Sequence, residues 1–469
     1  MNLFYLARRR TAVLVLPVFL PFLLTACASF SNDSGFSVIE KIAKDKLGKS
    51  LQWQLSAQPE NASSQRVQQL LGAPLSGDDA VQIALLNNRG LQANFAELGI
   101  VEADFVQSGR LLNPALSFGR LQRGDEKELE FGLHFNLMRL LTMPYTRKME
   151  LRRFEQTKQQ LAMQMLATAS ETHKAYYIAV AADQTVLYMQ QVKKAADASA
   201  ELARRMEQAG NFNKLQRARE QSFYFDAVVT LARAEQAQTR AREKLIRLMG
   251  LSGDQITFSL PARLPELPKS AEAPTNIEQL AMAQRLDVQA ARLGTEQLAQ
   301  NLGLSKATRF INVLEFGVVR NTSNQAPTQR GYEVSLELPI FDWGDVKVAK
   351  AEALYMQALH RTAEIAVNAQ SEVRLAYANY RSSFDIAVHY RDEIMPLKKK
   401  ISDENLLRYN GMFIGVFDLL ADARAQIFSV NSAIEATRDF WLAQADLEMS
   451  LIGKPTMNAP TSDTMAAEH

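Results

Sequence analysis

The 469-residue sequence has one cysteine, Cys27, and five histidines. A single thiol excludes a disulfide framework and any zinc site built on cysteine pairs. No two of His134, His173, His360, His389 and His469 stand four residues apart, the spacing of a helical metal site. Sixteen methionines are too scattered to beat their ordinary use as gap fillers, so no metal residue is assigned. Net charge is nearly absent too: 53 basic side chains face 51 acidic ones, which rules out a polyanion binder acting through net charge, and no nucleic-acid partner is expected. A phosphate loop, a nucleophile elbow and a catalytic carboxylate pair in recognisable context are all missing. No catalytic residue, enzyme activity or cofactor is therefore assigned.

Proline and glycine are sparse where they matter. Between Pro144 and Pro261 there is no proline, and the only glycines are Gly210, Gly250 and Gly253. Residues 149–209 are rich in Ala, Leu, Gln, Glu, Lys and Arg, the strong helix formers. A helix of that length is on the order of 90–100 Å long at about 1.5 Å per residue. Such a rod has to pack along other rods. Gly210 and Asn211 predict a reversal, with a second helix running to Met249. The plan recurs: residues 346–407 form another long helical run, mildly broken by Pro396, Gly411 and Gly415 mark its reversal, and residues 416–451 return. Tyr176 and Tyr377 occupy equivalent places, as do Gly210 and Gly411, and residues 78–111 match 275–307. This is a domain-scale duplication rather than a solenoid. Dense small residues (Ala195, Ala196, Ala198, Ala200 and Ala203; then Ala227, Ala232, Ala234, Ala237 and Ala241) occupy more than one helix face. That favours a closed ring of helices over a two-stranded coiled coil, whose seam is dominated by Leu and Ile.

Between the helices the period drops to two. Leu129, Phe131, Leu133, Phe135 and Leu137 alternate with Glu130, Gly132, His134 and Asn136, and Tyr332, Val334, Leu336, Leu338 and Ile340 alternate with Glu333, Ser335 and Glu337. Weaker alternations surround Phe118 and Phe316. The lengths suit tilted transmembrane strands, and the pattern suits a barrel. A soluble sheet half-buried on helices gives the same alternation. Four strands from one chain cannot close a conducting barrel, so several chains pool them or the sheet is soluble.

Arg8, Arg9 and Arg10 precede an apolar stretch interrupted by Pro17 and Pro21, followed by Leu24-Thr25-Ala26-Cys27. The stretch is too short to span a bilayer. It resembles a bacterial lipobox, whose cysteine is acylated after cleavage. Residues 1–26 are thus expected to be a lipoprotein signal peptide and Cys27 the lipidation site. Ala28, where an aspartate would favour inner-membrane retention, makes outer-membrane sorting the expectation. Residues 27–74 form a lipid-anchored tether and N-terminal segment, 75–261 the first repeat (helix, two strands, long helix, helix), 262–453 the second, and 454–469 a disordered tail.

Together these features resemble the TolC-like outer-membrane efflux protein family. The residues carrying the resemblance are Asp78-Asp79-Ala80-Val81-Gln82-Ile83-Ala84-Leu85-Leu86-Asn87-Asn88, Gly109-Arg110, Asn113-Pro114, Leu336-Glu337-Leu338-Pro339-Ile340-Phe341-Asp342-Trp343-Gly344, Ala351-Glu352-Ala353 and the two reversals. The ordered, duplicated series is the signal rather than any one motif. The resemblance implies a mainly α protein with a small transmembrane β part: a long α-helical barrel, and four strands per protomer in a homotrimeric 12-stranded barrel. It implies a passive conduit in the bacterial outer membrane, lipid-anchored and projecting into the periplasm. The partners implied are a periplasmic adaptor (membrane fusion) protein, an inner-membrane pump and outer-membrane lipid.

By the same resemblance, Asp418 matches one aspartate of a periplasmic gate. Asp422 lies one residue beyond the place of the second, at Ala421. Arg205 and Arg408, beside the reversals at Gly210 and Gly411, are expected to hold the closed tip or to meet the adaptor. Glu130, Glu315, Glu333 and Glu337, on the polar side of the strands, are expected to line the pore, the alternative for each being plain solvation of a polar face. A carboxylate opposing the helix dipole is the competing reading of Asp418. The competing reading of the whole is a lipid-anchored periplasmic coiled-coil scaffold or adaptor protein with a small soluble sheet, which has no use for outward rows of Leu and Phe.

Overall fold

The computed structural model describes residues 29–54, 61–271, 276–311 and 313–455. The expected signal peptide, Cys27 and most of the C-terminal tail lie outside the described residues. Short helices α1 (Phe36–Leu47) and α2 (Asn61–Leu71) lead into α3 (Gly77–Asn87) and α4 (Arg89–Ser108). Strands β1 (Ala115–Arg123) and β2 (Glu126–Asn136) are followed by α5 (Leu137–Gln208) and α6 (Lys214–Met249). The order then recurs: α7 (Ile277–Gln284), α8 (Leu286–Ala307), β3 (Leu314–Ser323), β4 (Gln329–Leu336), α9 (Asp345–His389), a π turn (Tyr390–Ile394), α10 (Met395–Asn410) and α11 (Val416–Ile452).

Two long helices differ from the sequence reading. Helix α5 has 72 residues and starts a dozen positions earlier than expected, directly off β2. Asn136 accepts the Arg139 N–H at 2.7 Å through its side chain and so caps the start. Pro144 lies inside the helix near that start. The second long run is divided by the π turn, in which the Met395 N–H donates to Tyr390. Pro396 follows at once and has no N–H to give, so the helix widens just before it. Strand β4 ends at Leu336, short of Ile340, because Pro339 cannot donate to a ladder.

The chain divides into two compact units, the first made of the described parts of Met1–Ser37, Ala96–Gln159 and Gln289–Glu364. Here the four strands form one antiparallel sheet in the order β1-β2-β3-β4. Gly132 and Gly317 leave room for His134: a Cβ at either would come within 2.6–2.7 Å of its ring. The Phe105 and Phe154 rings stack at 6.1 Å. Residues 29–37, read from the sequence as part of a tether, have defined contacts. The Ser31 N–H and the Ser34 hydroxyl each donate to Glu102 at 2.7 Å. Burial opposes the Glu102 charge, but these hydrogen bonds outweigh it and hold the carboxyl below its usual range.

The second unit comprises the described parts of Val38–Phe95, Gln160–Val288 and Ile365–His469. Its core runs in strips along the helices rather than as one ball. Leu75, Ala80, Ile83 and Leu86 pack on Ala175, Tyr176, Ala179 and Val180 of α5 and on Leu245 and Met249 of α6. Tyr380 and Phe384 of α9 pack on Phe440 of α11. Val186, Met189, Val192 and Ala196 meet Ala227 and Leu231. Of the alanine clusters, Ala196, Ala203, Ala227 and Ala241 are buried, whereas Ala195, Ala198, Ala232 and Ala237 are exposed in the single chain.

Candidate functional site

The first unit contributes the sheet. Residues opposite one another in an antiparallel ladder share a face. The register puts Leu116 and Phe118, then Leu129, Phe131, Leu133 and Phe135, then Leu314, Phe316 and Val318, and finally Tyr332, Val334 and Leu336 on one side. Most of these side chains are open: Leu116 is 75%, Phe118 62% and Tyr332 77% exposed. At about 25 cal/mol per Å², such a face in water forgoes a large part of the stabilisation that apolar burial normally supplies. The opposite face carries Glu130, Glu315 and Glu333, with His134 and Ser117 hydrogen-bonded at 3.0 Å between them. The sheet therefore brings together three of the four expected pore-lining glutamates. Glu337 lies one residue beyond the end of β4, where its N–H still reaches the Val313 carbonyl at 3.3 Å. Strands β1 and β4 are the free edges.

The second unit contributes the helix reversals. Gly210 takes the left-handed conformation, φ +81°, that ends α5. Asn213 caps α6 in a reciprocal box with Gln216. Arg217 pairs with Glu207 across the turn at 2.7 Å. Arg205 is exposed and bound to Glu201 of its own helix at 2.8 Å. Hydrogen bonds from Arg204 and Arg205 hold the Glu201 carboxyl at about 2. At the second reversal the left-handed residue is Met412, φ 61°, while Gly411 has φ −81°. The glycine read as the pivot is thus one position early, and a side chain takes the strained place. Met412 and Phe413 are 93% and 79% exposed there. Arg408 is exposed.

Asp418 lies in the first turn of α11, exposed, and accepts the Gly415 N–H at 3.2 Å. Asp422 is one turn on and half-buried; its Oδ2 is buried without a hydrogen-bond partner. The structure adds a cluster that the sequence reading did not name. Glu220 of α6 is 1% exposed, accepts the Ser199 hydroxyl of α5 at 2.6 Å and binds Arg424 of α11 at 2.8 Å. The Arg424 guanidinium also lies over the Phe223 ring at 4.4 Å. The available signal was periodicity, because Glu220 falls on the buried stripe of Ala227 and Leu231 at helical spacing.

Two cations in this unit are buried and paired within it. Lys174, 1% exposed, binds Glu171 and Asp446, each at 2.9 Å. Arg285, also 1% exposed, binds Asp287 at 2.6 Å and Glu372 at 2.7 Å. Burial pushes the Asp446 carboxyl above its usual range despite Lys174. Among the described residues, no group of three or more His, Cys, Asp or Glu side chains is arranged to hold a metal. No helix among them is long and apolar enough to cross a membrane.

Long helix pairs joined to a four-stranded antiparallel sheet are also the fold of solved outer-membrane channels. Three solved structures have it: the Campylobacter jejuni CmeC outer membrane channel (TM-score 0.69, 16% identity, 80% of this chain and 85% of that one), the open state of the Neisseria gonorrhoeae MtrE outer membrane channel (0.67, 18%, 81% and 90%), and the Vibrio cholerae outer membrane protein VceC (0.66, 13%, 81% and 96%). No family model matches the sequence, and no curated protein matches it either. At these identities the likeness establishes the fold.

Proposed function

We propose that this chain is the outer-membrane channel of a tripartite efflux system. On this reading three copies pool their strands into a 12-stranded barrel, and their helices form a tube below it in the periplasm. Small toxic compounds or metal ions, delivered by an inner-membrane pump through a periplasmic adaptor, leave passively through that conduit. Acylated Cys27 anchors each copy to outer-membrane lipid. No step needs a catalytic group. The carrying observation is the sheet, which has an open apolar face and two unpaired edges. Alternating strand directions make β1 of one copy antiparallel to β4 of the next, which favours closure with an even strand number. A free edge in a lone chain is a liability, which closure removes. A periplasmic scaffold would leave the apolar face in water.

Other features support the reading. The alanines left exposed on α5 and α6 suit a helix seated between two neighbours. The repeated element order suits a duplicated chain. Glu171 and Glu372, at matching places in the two long helices, each receive a buried cation. Apolar Met412 and Phe413 suit a tip that docks an adaptor. Outer-membrane detergent extracts should contain heat-modifiable trimers that form pores in planar bilayers; single chains without pore activity would end the proposal. On the same reading Asp418, repeated three times, narrows the periplasmic mouth and favours cations. Asp418→Ala should raise conductance and weaken cation preference. If both stay unchanged, Asp418 is a helix cap and nothing more.

A further inference from the structure

The apolar face of the sheet changes character along its height. Its charged residues are Arg120 on β1, Lys127 on β2, Arg320 on β3 and Arg330 on β4, and no acid shares that face. The opposite face carries Glu126, Glu128, Glu130, Glu315 and Glu333 against Arg123 alone. All four cations are exposed and gather at the end nearest the two turns. Arg320 and Arg330 stand directly opposite one another, next to the last pair, Asn321 and Gln329. Arg120 faces Leu129, so Lys127 is its diagonal neighbour. Like charges placed this way repel, and an anion between them turns that repulsion into attraction. The far end of the sheet is different. Beyond β4 stand Phe341 and Trp343, 99% and 57% exposed, with Phe310 edge-on to the Trp343 ring at 6.5 Å. An apolar band is thus bounded by aromatic rings on one side and by guanidinium and ammonium groups on the other. The Trp343 indole, an apolar ring with one N–H donor, suits a bilayer interface without any charge. Guanidinium groups match phosphate oxygens in bidentate geometry.

We propose that Arg120, Lys127, Arg320 and Arg330 form a binding rim for the phosphate groups of lipids in the leaflet on the turn side. The apolar band below takes the acyl chains of the same lipids. This rests on the membrane reading above and adds to it a lipid class and the residues that select it. The occupant follows from charge complementarity. The rim has cations from all four strands, no carboxylate on its own face, and an acyl-compatible surface directly beneath.

The test uses the full-length protein in detergent, titrated with bisphosphorylated lipid A and with the same lipid after enzymatic removal of its phosphates, with retained lipid counted by native mass spectrometry. Wild type should prefer the phosphorylated lipid. Arg120→Gln, Arg320→Gln and Arg330→Gln together should weaken its binding roughly a hundredfold, about fivefold per charge. The corresponding triple Arg→Lys variant, which keeps the charge and loses the bidentate fork, should fall between wild type and the Gln variant; binding as weak as in the Gln variant would overturn the part assigned to charge. Equal retention of both lipids by wild type overturns the rim, as does undiminished binding in the Gln variant. If the Gln variant fails to assemble, the two lipids on wild type still decide. Trimers that conduct but ignore phosphate refute only the rim; single chains without conductance refute the channel reading and the rim with it.

Discussion

His173 of α5 faces a cavity of about 400 Å³ that Lys46, Lys49, Asp78 and Glu448 also line. Burial lowers its pKa below the ordinary histidine value of 6.5; Asp78 opposes that shift and Lys49 reinforces it. The ring lies 4.8 Å from that of Tyr177 and fills the place a Cβ at Gly77 would take. The folded state therefore binds this proton less readily than the unfolded chain. Stability is present in full above about pH 6.5 and is lost as the pH falls through that value toward the lowered one. Thermal midpoints measured across this window should drop in wild type and drop less in His173→Gln. An equal drop in both would assign the acid sensitivity to other groups. At this scale the sequence said little. His173 was visible only as a scattered histidine, because its neighbours come from segments far away in the chain. Lys174 and Arg285 each have one partner close by in sequence, Glu171 and Asp287, but their burial and their second partners, Asp446 and Glu372, become legible only when the helices have been placed.

At the scale of elements, helices and strands were read well from period and composition, and their ends less well. The start of α5 depends on a side-chain cap from Asn136, the strand end on a missing proline donor, and the π turn on how a long helix accommodates Pro396. Each of these is a local hydrogen-bond matter that hydrophobic periodicity does not register. The acidic residues that alternate along β2, β3 and β4 did come out on one face, since a strand fixes side-chain direction by parity alone. Asp418 and Asp422 were singled out by the family resemblance, and nothing in the sequence foretold the Gly415 contact of the one or the partnerless buried oxygen of the other. The cluster joining three helices through Glu220 carries a definite expectation. Glu220→Ala leaves Arg424 without its carboxylate and Ser199 without its acceptor. Because Arg424 is partly exposed, the cost is about 1–3 kcal/mol rather than the full value of a buried pair. Hydrogen exchange should become faster in α6 and α11 around these residues while amides near Leu245 keep their protection. Unchanged exchange would mean that the apolar cluster of Val192, Leu231 and Ile427 holds the three helices together without the ion pair.

For the whole molecule, the sheet order sets a sequence of events. β1 and β2 are joined by a tight turn and can pair as soon as both exist, whereas the ladder between β2 and β3 links Glu128 to Ser323 across the entire intervening pair of long helices. Closing so large a loop costs little more than closing a moderate one, but it cannot begin until the distant partner has been made, and such non-local pairing is intrinsically slow. During synthesis the first hairpin must therefore persist as an oily ribbon with nothing beside it. A chain that ends anywhere ahead of β3 holds only two of the four strands, an apolar hairpin whose inner edge has lost its partner.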